Sequence, residues 1–325
     1  MMKDLAGRLR EKDSRPGELW RRVGLILALV GWSALVGCRV LRNRDTRDLS
    51  SARQLSLRGA DALQQRKYAD AESLFVEALR QSPGDERAQW GYSEVLWQRG
   101  EQAQATQHML KAADLSGGNP DLLVRLGQMY LEQDDLTRAL QQADAALRSH
   151  RNNPAAWALK GDVLRAQGQL EPAIDCYHRA LIYRPDWPDV QVTLAELYRL
   201  SNRPQRALAT LDRLRDQRSG SQLPPRAQLL RGQALADLSQ YEAARMCLRQ
   251  ATHALPDEQS DLLMEFAQVQ YQLGDTIEAS LCLGRLLKQK PDDLAALRLL
   301  SEVNQALARG PEANVPIRTV STPVR

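Results

Sequence analysis

Apolar residues recur at spacings of three and four over most of the chain, from about residue 52 to residue 308. This spacing predicts successive α-helices, each of which buries one stripe of its surface. Proline residues interrupt the pattern at Pro83, Pro185, Pro256 and Pro291, and we expect each of them to follow the end of a helix. The pattern therefore predicts an all-α fold made of consecutive helix pairs.

The helix pairs repeat with a period of 34 residues. Aligning Gly59, Gly127, Gly161 and Gly232 in one column defines eight unit starts, which are spaced by 34 to 37 residues. A fixed period of this length is typical of a stacked array, in which each unit packs on its neighbours, and not of a single globular core. The units start at Ala52, Glu86, Pro120, Pro154, Pro188, Pro225, Ser260 and Leu294.

Two columns of the repeat hold small residues, and we predict that the two helices of each pair approach closely there. The eighth position is glycine, serine or alanine in all seven complete units, and the twentieth is always alanine. Larger apolar side chains, such as Phe75 and Tyr177 at the twenty-fourth position, are expected to fill the space around them. The alanines are Ala71, Ala105, Ala139, Ala173, Ala207, Ala244 and Ala279.

These columns resemble those of the tetratricopeptide repeat family. The unit from Pro154 to Trp187 fits best, and the third unit departs at Ala143 and Arg151, where the family prefers a large residue and a proline. The resemblance implies an all-α, right-handed superhelical solenoid of seven helix-turn-helix repeats over residues 52–293, with a capping helix over 294–308. The matching residues of the best unit are Trp157, Gly161, Gly168, Ala173, Tyr177, Ala180 and Pro185.

The N-terminal segment resembles a bacterial lipoprotein signal. The pair Arg21 and Arg22 precedes an apolar run of 15 residues, which ends in Gly37 directly before Cys38. Such a run inserts into a bilayer but is short for a permanent span, which needs about 20 residues. The resemblance implies that residues 1–37 are removed, that Cys38 is lipidated, and that the protein is a lipoprotein of the bacterial cell envelope.

A second interpretation of the same segment stays open, because four arginines between residues 39 and 47 follow the cysteine and positive charge there resists export. The apolar run then extends to about Leu41 as an uncleaved anchor in the inner membrane, or the true start of the protein lies elsewhere. In either case we expect residues 38–51 to be a linker. Residues 309–325 are rich in Pro, Val, Thr and Ser and are expected to be a disordered tail.

Charge and cysteine usage argue against several classes of function. Outside residues 1–37 the chain holds 37 Lys and Arg against 36 Asp and Glu, so we predict no nucleic-acid partner. Cys176, Cys247 and Cys282 share the twenty-third position of different repeats, too far apart for a disulfide, and are expected to be small core residues. No metal-ligand spacing, nucleotide loop or catalytic set stands out. We therefore expect no metal, no cofactor, no small-molecule substrate and no enzymatic activity.

In the tetratricopeptide fold, the first helix of each repeat lines a concave groove, chiefly through its second, fifth, ninth and twelfth positions. The second unit places Trp90, Glu94 and Trp97 at the last three of these positions. Aromatic side chains in a groove bind apolar side chains of a peptide. The alternative is that one or both tryptophans pack against neighbouring helices of the array.

Charged residues occupy the same groove positions in later units. Asp162 with Arg165 and Glu196 with Arg199 are candidates for binding a charged partner, or else form local salt bridges within one helix. One subgroup of the family holds the C-terminal carboxylate of chaperones with lysine, asparagine and arginine, and Arg125 lies at a matching position. No asparagine is found at the other matching positions, so that role is disfavoured.

Together these features favour a non-enzymatic, membrane-tethered scaffold. It binds a protein or peptide in the concave groove and helps to assemble an envelope complex, with lipidated Cys38 as its membrane contact. Two alternatives remain: an adaptor that faces the cytoplasm from an uncleaved N-terminal helix, and an accessory module of a secretion or glycan-assembly machine.

Overall fold

The computed structural model describes residues 49–217, 222–256 and 259–309, and the regular structure in these ranges is entirely helical. Helix α1 covers residues 49–64. The chain forms two compact bodies, the first ending at Gly118 and the second beginning at Asn119. The predicted leader, Cys38 and most of the predicted tail lie outside the described residues. The first body continues with α2 (Tyr68–Gln81), α3 (Glu86–Gln98) and α4 (Gln102–Leu115).

The second body contains the remaining helices, and the prediction of an all-α repeat fold is confirmed. The first helices of its repeats are α5 (Pro120–Glu132), α7 (Pro154–Ala166), α9 (Pro188–Leu200), α11 (Pro225–Asp237), α13 (Ser260–Gln272) and α15 (Leu294–Ala308). The second helices are α6 (Leu136–Ser149), α8 (Leu170–Tyr183), α10 (Pro204–Gln217), α12 (Tyr241–Ala254) and α14 (Thr276–Gln289).

First helices begin at the residues where the 34-residue period places the unit starts, from Glu86 to Leu294. Local chemistry explains this agreement. Asn153 accepts a hydrogen bond from the backbone N–H of Ala156 at 3.0 Å, and Pro154 then occupies the first helical position, where no N–H is needed. Four first helices, α5, α7, α9 and α11, carry proline in this position.

The turn between the two helices of each repeat contains one residue in the left-handed backbone region. Gly168 has a φ of +75° there, and its neighbour Gln169 donates its N–H to the carbonyl of Leu164, which closes the end of α7. Four repeats place a non-glycine residue at this position, at some conformational cost. Those residues are Arg66, Asp134, Asn202 and Ser239.

In the first body, the ring of Phe75 fills the space that the small column leaves open. A Cβ atom added to Gly59 would lie 2.7 Å from the ring, and one added to Gly91 in the next repeat would lie closer still. The Phe75 side chain is fully buried, as is Ala71 one turn earlier on α2. The ring therefore packs against the first helices of two successive repeats.

In the second body, the small column is used in two different ways. A Cβ atom on Gly161 would lie 2.9 Å from the ring of Tyr177, the twenty-fourth residue of the same repeat. A Cβ atom added to Gly127 would instead overlap the side chain of Leu159, a residue of the following repeat. Leu159 fills this space because Ala143, at the twenty-fourth position of the third repeat, is too short to reach it.

The remaining columns also follow the prediction. All seven alanines at the twentieth position are at most 1% exposed, which is the close approach expected of a helix pair. Cys176 and Cys282 are buried and Cys247 is half-buried, and all three are free thiols. Burial raises the pKa of Cys282 to about 11, so this thiol stays protonated at neutral pH. These cysteines are core residues of the second helices.

Candidate functional site

The predicted groove residues lie on the first helices of the repeats, and we call them the first-helix surface, which is described separately for each body. Within the second body α5 lies beside α7, α9 beside α11, α11 beside α13 and α13 beside α15. The polar positions of each of these pairs therefore lie on neighbouring first helices. The predicted residues are Trp90, Glu94 and Trp97 in the first body and Arg125, Asp162, Arg165, Glu196 and Arg199 in the second.

The second repeat presents an aromatic side chain at this surface. Helix α3 is started by Asp85, whose carboxylate accepts the N–H of Ala88 at 3.0 Å, and this places Trp90 one turn into the helix. Trp90 is 41% exposed, whereas Glu94 and Trp97 are half-buried and contact other groups of the chain. Exposure of so large an apolar ring costs hydrophobic free energy, so Trp90 is the group of this surface best suited to cover a partner's apolar side chain.

In the fourth repeat, Asp162 is held by the same tyrosine that packs on Gly161. The hydroxyl of Tyr177 donates to Asp162 at 2.6 Å, and the guanidinium of Arg165 lies 4.0 Å away. Burial raises the pKa of Asp162, while the hydrogen bond from Tyr177 and the charge of Arg165 lower it in part. The pKa of Tyr177 is raised by its burial and by the neighbouring carboxylate. The predicted local contact between Asp162 and Arg165 is present, but its main partner is Tyr177.

The fifth repeat has the same acid-to-arginine spacing but different partners. Glu196 accepts a hydrogen bond from Arg226 of the sixth repeat at 3.1 Å, and Arg226 also binds Glu265 of the seventh. Arg199 lies 3.6 Å from Asp237 of the sixth repeat. The alternative of a local salt bridge between Glu196 and Arg199 is therefore wrong. Both residues join neighbouring repeats, because the facing positions carry opposite charges.

Arg125 in the third repeat is also engaged within the chain. Its guanidinium lies 3.8 Å from Glu132, two turns further along α5, and its side chain is 26% exposed. The residues that sequence reasoning missed are the partners: Tyr177, Arg226, Asp237 and Glu265. Arg226 occupies the second position of its repeat, one of the four predicted groove positions, so the column pattern pointed to it.

Two negative findings concern the part of the chain that the structure describes. No group of three or more His, Cys, Asp or Glu residues there is arranged to hold a metal ion. Among the same residues, no helix has both the length and the hydrophobicity that crossing a bilayer requires.

Comparison with known protein families identifies the repeat. One tetratricopeptide repeat family model matches residues 57–120 and 124–190, a second matches 164–234, and a third matches 225–254. Together they cover more than half of the chain. The chain belongs to the tetratricopeptide repeat family, whose helix hairpins serve as protein–protein interaction scaffolds.

Solved structures share this fold at low sequence identity. A tetratricopeptide repeat protein from Parabacteroides merdae superposes with a TM-score of 0.62 at 13% identity, over 78% of this chain and 99% of that one. PilW, described as a widely conserved type IV pilus biogenesis factor, gives 0.56 at 18% identity, over 61% of this chain and 91% of that one.

Curated relatives match over a shorter region. The yeast peroxisomal targeting signal receptor of Saccharomyces cerevisiae is 31% identical over 94 residues, which are 29% of this chain. This chain spans only about 15% of the length of that receptor. The match therefore reflects the shared repeat.

Proposed function

We propose that this protein is a non-enzymatic scaffold that binds a protein or peptide partner across its first-helix surface. The observation that carries the proposal is Trp90, which stays 41% exposed on α3 although most large apolar residues of the repeats are buried. Such an anchor contributes affinity when a partner covers it. Half-buried Trp97 and Glu94 lie two turns and one turn further along the same helix and extend the contact.

The charged part of the surface plays a smaller role in this proposal. Glu196 and Arg199 are bound by residues of the next repeat, and Asp162 by Tyr177. A partner would have to displace these contacts, and exposed ion pairs gain little from such an exchange. The aromatic residues of the second repeat are therefore the expected centre of the interface.

Site-specific photo-crosslinking in the cells that produce the full-length protein tests this assignment. A photoreactive phenylalanine analogue replaces Trp90 in one variant and Leu110 in the other. Leu110 is the matched control, because it is also 41% exposed but lies on the second helix of the same repeat. We expect an adduct of defined mass from position 90 only, and less of it when Trp97→Ala is added. Equal adducts from both positions would contradict the proposal.

We further propose that the scaffold is tethered to a bacterial membrane through lipidated Cys38 and serves an envelope complex. The support is the apolar run that ends in Gly37 directly before Cys38. PilW, which shares the fold at 18% identity, is described as a widely conserved type IV pilus biogenesis factor. Two acyl chains are needed for stable attachment, since one gives only marginal binding.

The intact mass of the protein isolated from native membranes tests the tether. A chain that begins at Cys38 and carries the added mass of a diacylglyceryl group is the expected result. A chain that still begins at Met1 or Met2 would overturn the lipid tether. It would support the adaptor with an uncleaved N-terminal anchor, a model that the arginines following Cys38 favour.

A further inference from the structure

A cavity of about 340 Å³ opens between α8, α9 and α10, at the junction of the fourth and fifth repeats. We call it the α8–α10 cavity. It lies between two second helices and shares none of the first-helix residues discussed above. The lining residues that matter here are His178, Leu181, Gln191, Tyr198, Arg206 and Arg213.

The second repeat shows how the equivalent space is closed elsewhere in the chain. Gln89, the fourth residue of that repeat, donates its side-chain amide to the carbonyl of Pro83 at 2.9 Å. Its Oε1 lies 2.6 Å from Nδ1 of His108, the twenty-third residue of the repeat. The imidazole therefore fills the space beside the glutamine and satisfies its oxygen.

In the fifth repeat the same glutamine is present, but its partner is missing. Gln191 donates to the carbonyl of Pro185 at 3.0 Å and to Oε1 of Gln217 at 2.9 Å. The twenty-third residue is Thr210, whose short side chain donates to the carbonyl of Arg206. The Oε1 atom of Gln191 is buried and accepts no hydrogen bond, and the whole residue is only 3% exposed. A buried acceptor without a donor is rare in native proteins, and a bound ligand is one explanation.

The cavity also carries uncompensated positive charge. Within the described residues, neither Arg206 nor Arg213 forms an ion pair, and no carboxylate lines the cavity. The guanidinium of Arg206 lies 5.8 Å from the centre of the Tyr198 ring. Burial lowers the pKa of His178, and Arg206 and Arg213 lower it further against the opposing charge of Asp175. The lining therefore favours an anion.

We propose that the α8–α10 cavity binds an acidic peptide segment. A carboxylate of the peptide pairs with Arg206 and Arg213, because no carboxylate of the described residues forms an ion pair with either of them. An adjacent apolar side chain covers Leu181 and Ile182, and Ile182 is 71% exposed in the absence of a partner. A peptide N–H reaches the oxygen of Gln191 once the exposed side chain of Gln217 moves aside. A free inorganic anion would use the arginines alone, whereas a peptide uses all three features.

Binding of synthetic peptides to the full-length protein in detergent, followed by fluorescence anisotropy, tests the proposal. The probe is a labelled peptide with alternating leucine and glutamate residues, and the control peptide has glutamine in place of glutamate. We expect the glutamate peptide to bind at least about tenfold more tightly. A second pair, with a free and an amidated C-terminus, shows whether a side-chain or a terminal carboxylate is preferred.

Three variants locate the site. Thr210→His places an imidazole where His108 lies in the second repeat, so we expect a higher melting temperature and loss of peptide binding. Arg206→Gln combined with Arg213→Gln is expected to weaken binding about tenfold without unfolding the chain. Arg148→Gln, on an exposed part of α6, is the matched control. Equal binding of the glutamate and glutamine peptides, or binding unaffected by all variants, would overturn the proposal.

Discussion

The interface between the first and second repeats is filled by a side chain of a second helix. The equivalent space between the third and fourth repeats is filled by a side chain of the next first helix. In the first body, the large ring of Phe75 on a second helix meets Gly91 on the next first helix. In the second body, Ala143 takes the place of the ring, and Leu159 takes the place of Gly91 and reaches back to Gly127. Both Phe75 and Leu159 are at most 1% exposed.

This difference shows that the repeat requires the space at the interface to be filled, and that the residue which fills it can belong to either of the two facing helices. Ala143 departs from the family pattern when its column is considered alone. It is normal once the sixth position of the following repeat, Leu159, is considered with it. Protein interiors are close-packed, so a loss of volume on one helix has to be matched by a gain on the helix that faces it.

The largest loss of stability is expected when large side chains are present on both facing helices of one interface. Gly91→Leu adds a side chain where even a Cβ atom would overlap the ring of Phe75, so we expect a loss of more than about 3 kcal/mol, the upper end of the cost of overpacking. Urea denaturation of the full-length protein in detergent measures the loss. The double variant Gly91→Leu with Phe75→Ala copies the third-to-fourth interface and should recover much of the stability. Additive losses in the double variant would contradict the idea of a shared volume.

The reverse change removes the compensating side chain. Leu159→Ala leaves a cavity between Ala143 and Gly127, and a buried leucine truncated in this way costs about 2–5 kcal/mol. Leu297→Ala on α15 is a matched control, because Leu297 is 43% exposed and should lose far less. Thermal denaturation followed by circular dichroism measures both variants. Similar losses for the two would show that Leu159 does not fill this interface.

A smaller loss of stability is expected when the hydroxyl of the Tyr177 ring is removed. Tyr177→Phe makes the fourth repeat resemble the first but removes the hydrogen bond to Asp162, at an expected cost of about 1 kcal/mol at neutral pH. That bond stabilises the ionised carboxyl, so its loss raises the pKa of Asp162 further.

The pH dependence of this variant follows from the sign of the shift. The pKa of Asp162 is higher in the folded than in the unfolded protein. Ionisation of this group as the pH rises therefore stabilises the unfolded state more than the folded state. The cost of Tyr177→Phe is therefore present above the folded pKa and disappears as acid protonates Asp162. Urea denaturation at neutral and acidic pH tests this, with Asp162→Asn as the control that removes the titration. A cost that does not change with pH would show that the hydroxyl does not act through the carboxylate.

The smallest effect concerns the polar contacts between repeats. Arg226→Gln removes the bridge from Glu196 to Glu265, and since all three side chains are between 27% and 42% exposed we expect a loss below about 1 kcal/mol. The loss should shrink in high salt, which screens exposed charges. Lys290→Gln, whose partner Asp261 is 95% exposed, is the control and should change stability less. A loss that is equal in low and high salt would contradict an electrostatic origin.

Sequence reasoning identified the repeat, its period and its small columns, and it identified Trp90 as a surface candidate. It did not predict the main partners of the charged residues. Asp162 with Arg165 and Glu196 with Arg199 have the same spacing, but one acid binds a tyrosine of its own repeat and the other binds an arginine of the next. A spacing of three within one helix describes local neighbours only, and these partners come from other helices.

The sequence by itself determined the helices, because their ends and buried stripes depend on local signals such as Asn153 and Pro154 and on a period that a single chain displays. Only the tertiary structure decided which side of an interface supplies its volume, as with Phe75 and Leu159, and which glutamine lacks a partner, as with Gln191. The physical reason is that helix formation is set by neighbours along the chain. Packing and hydrogen bonding between helices depend on residues that are distant in the sequence, whose complementarity no single column shows.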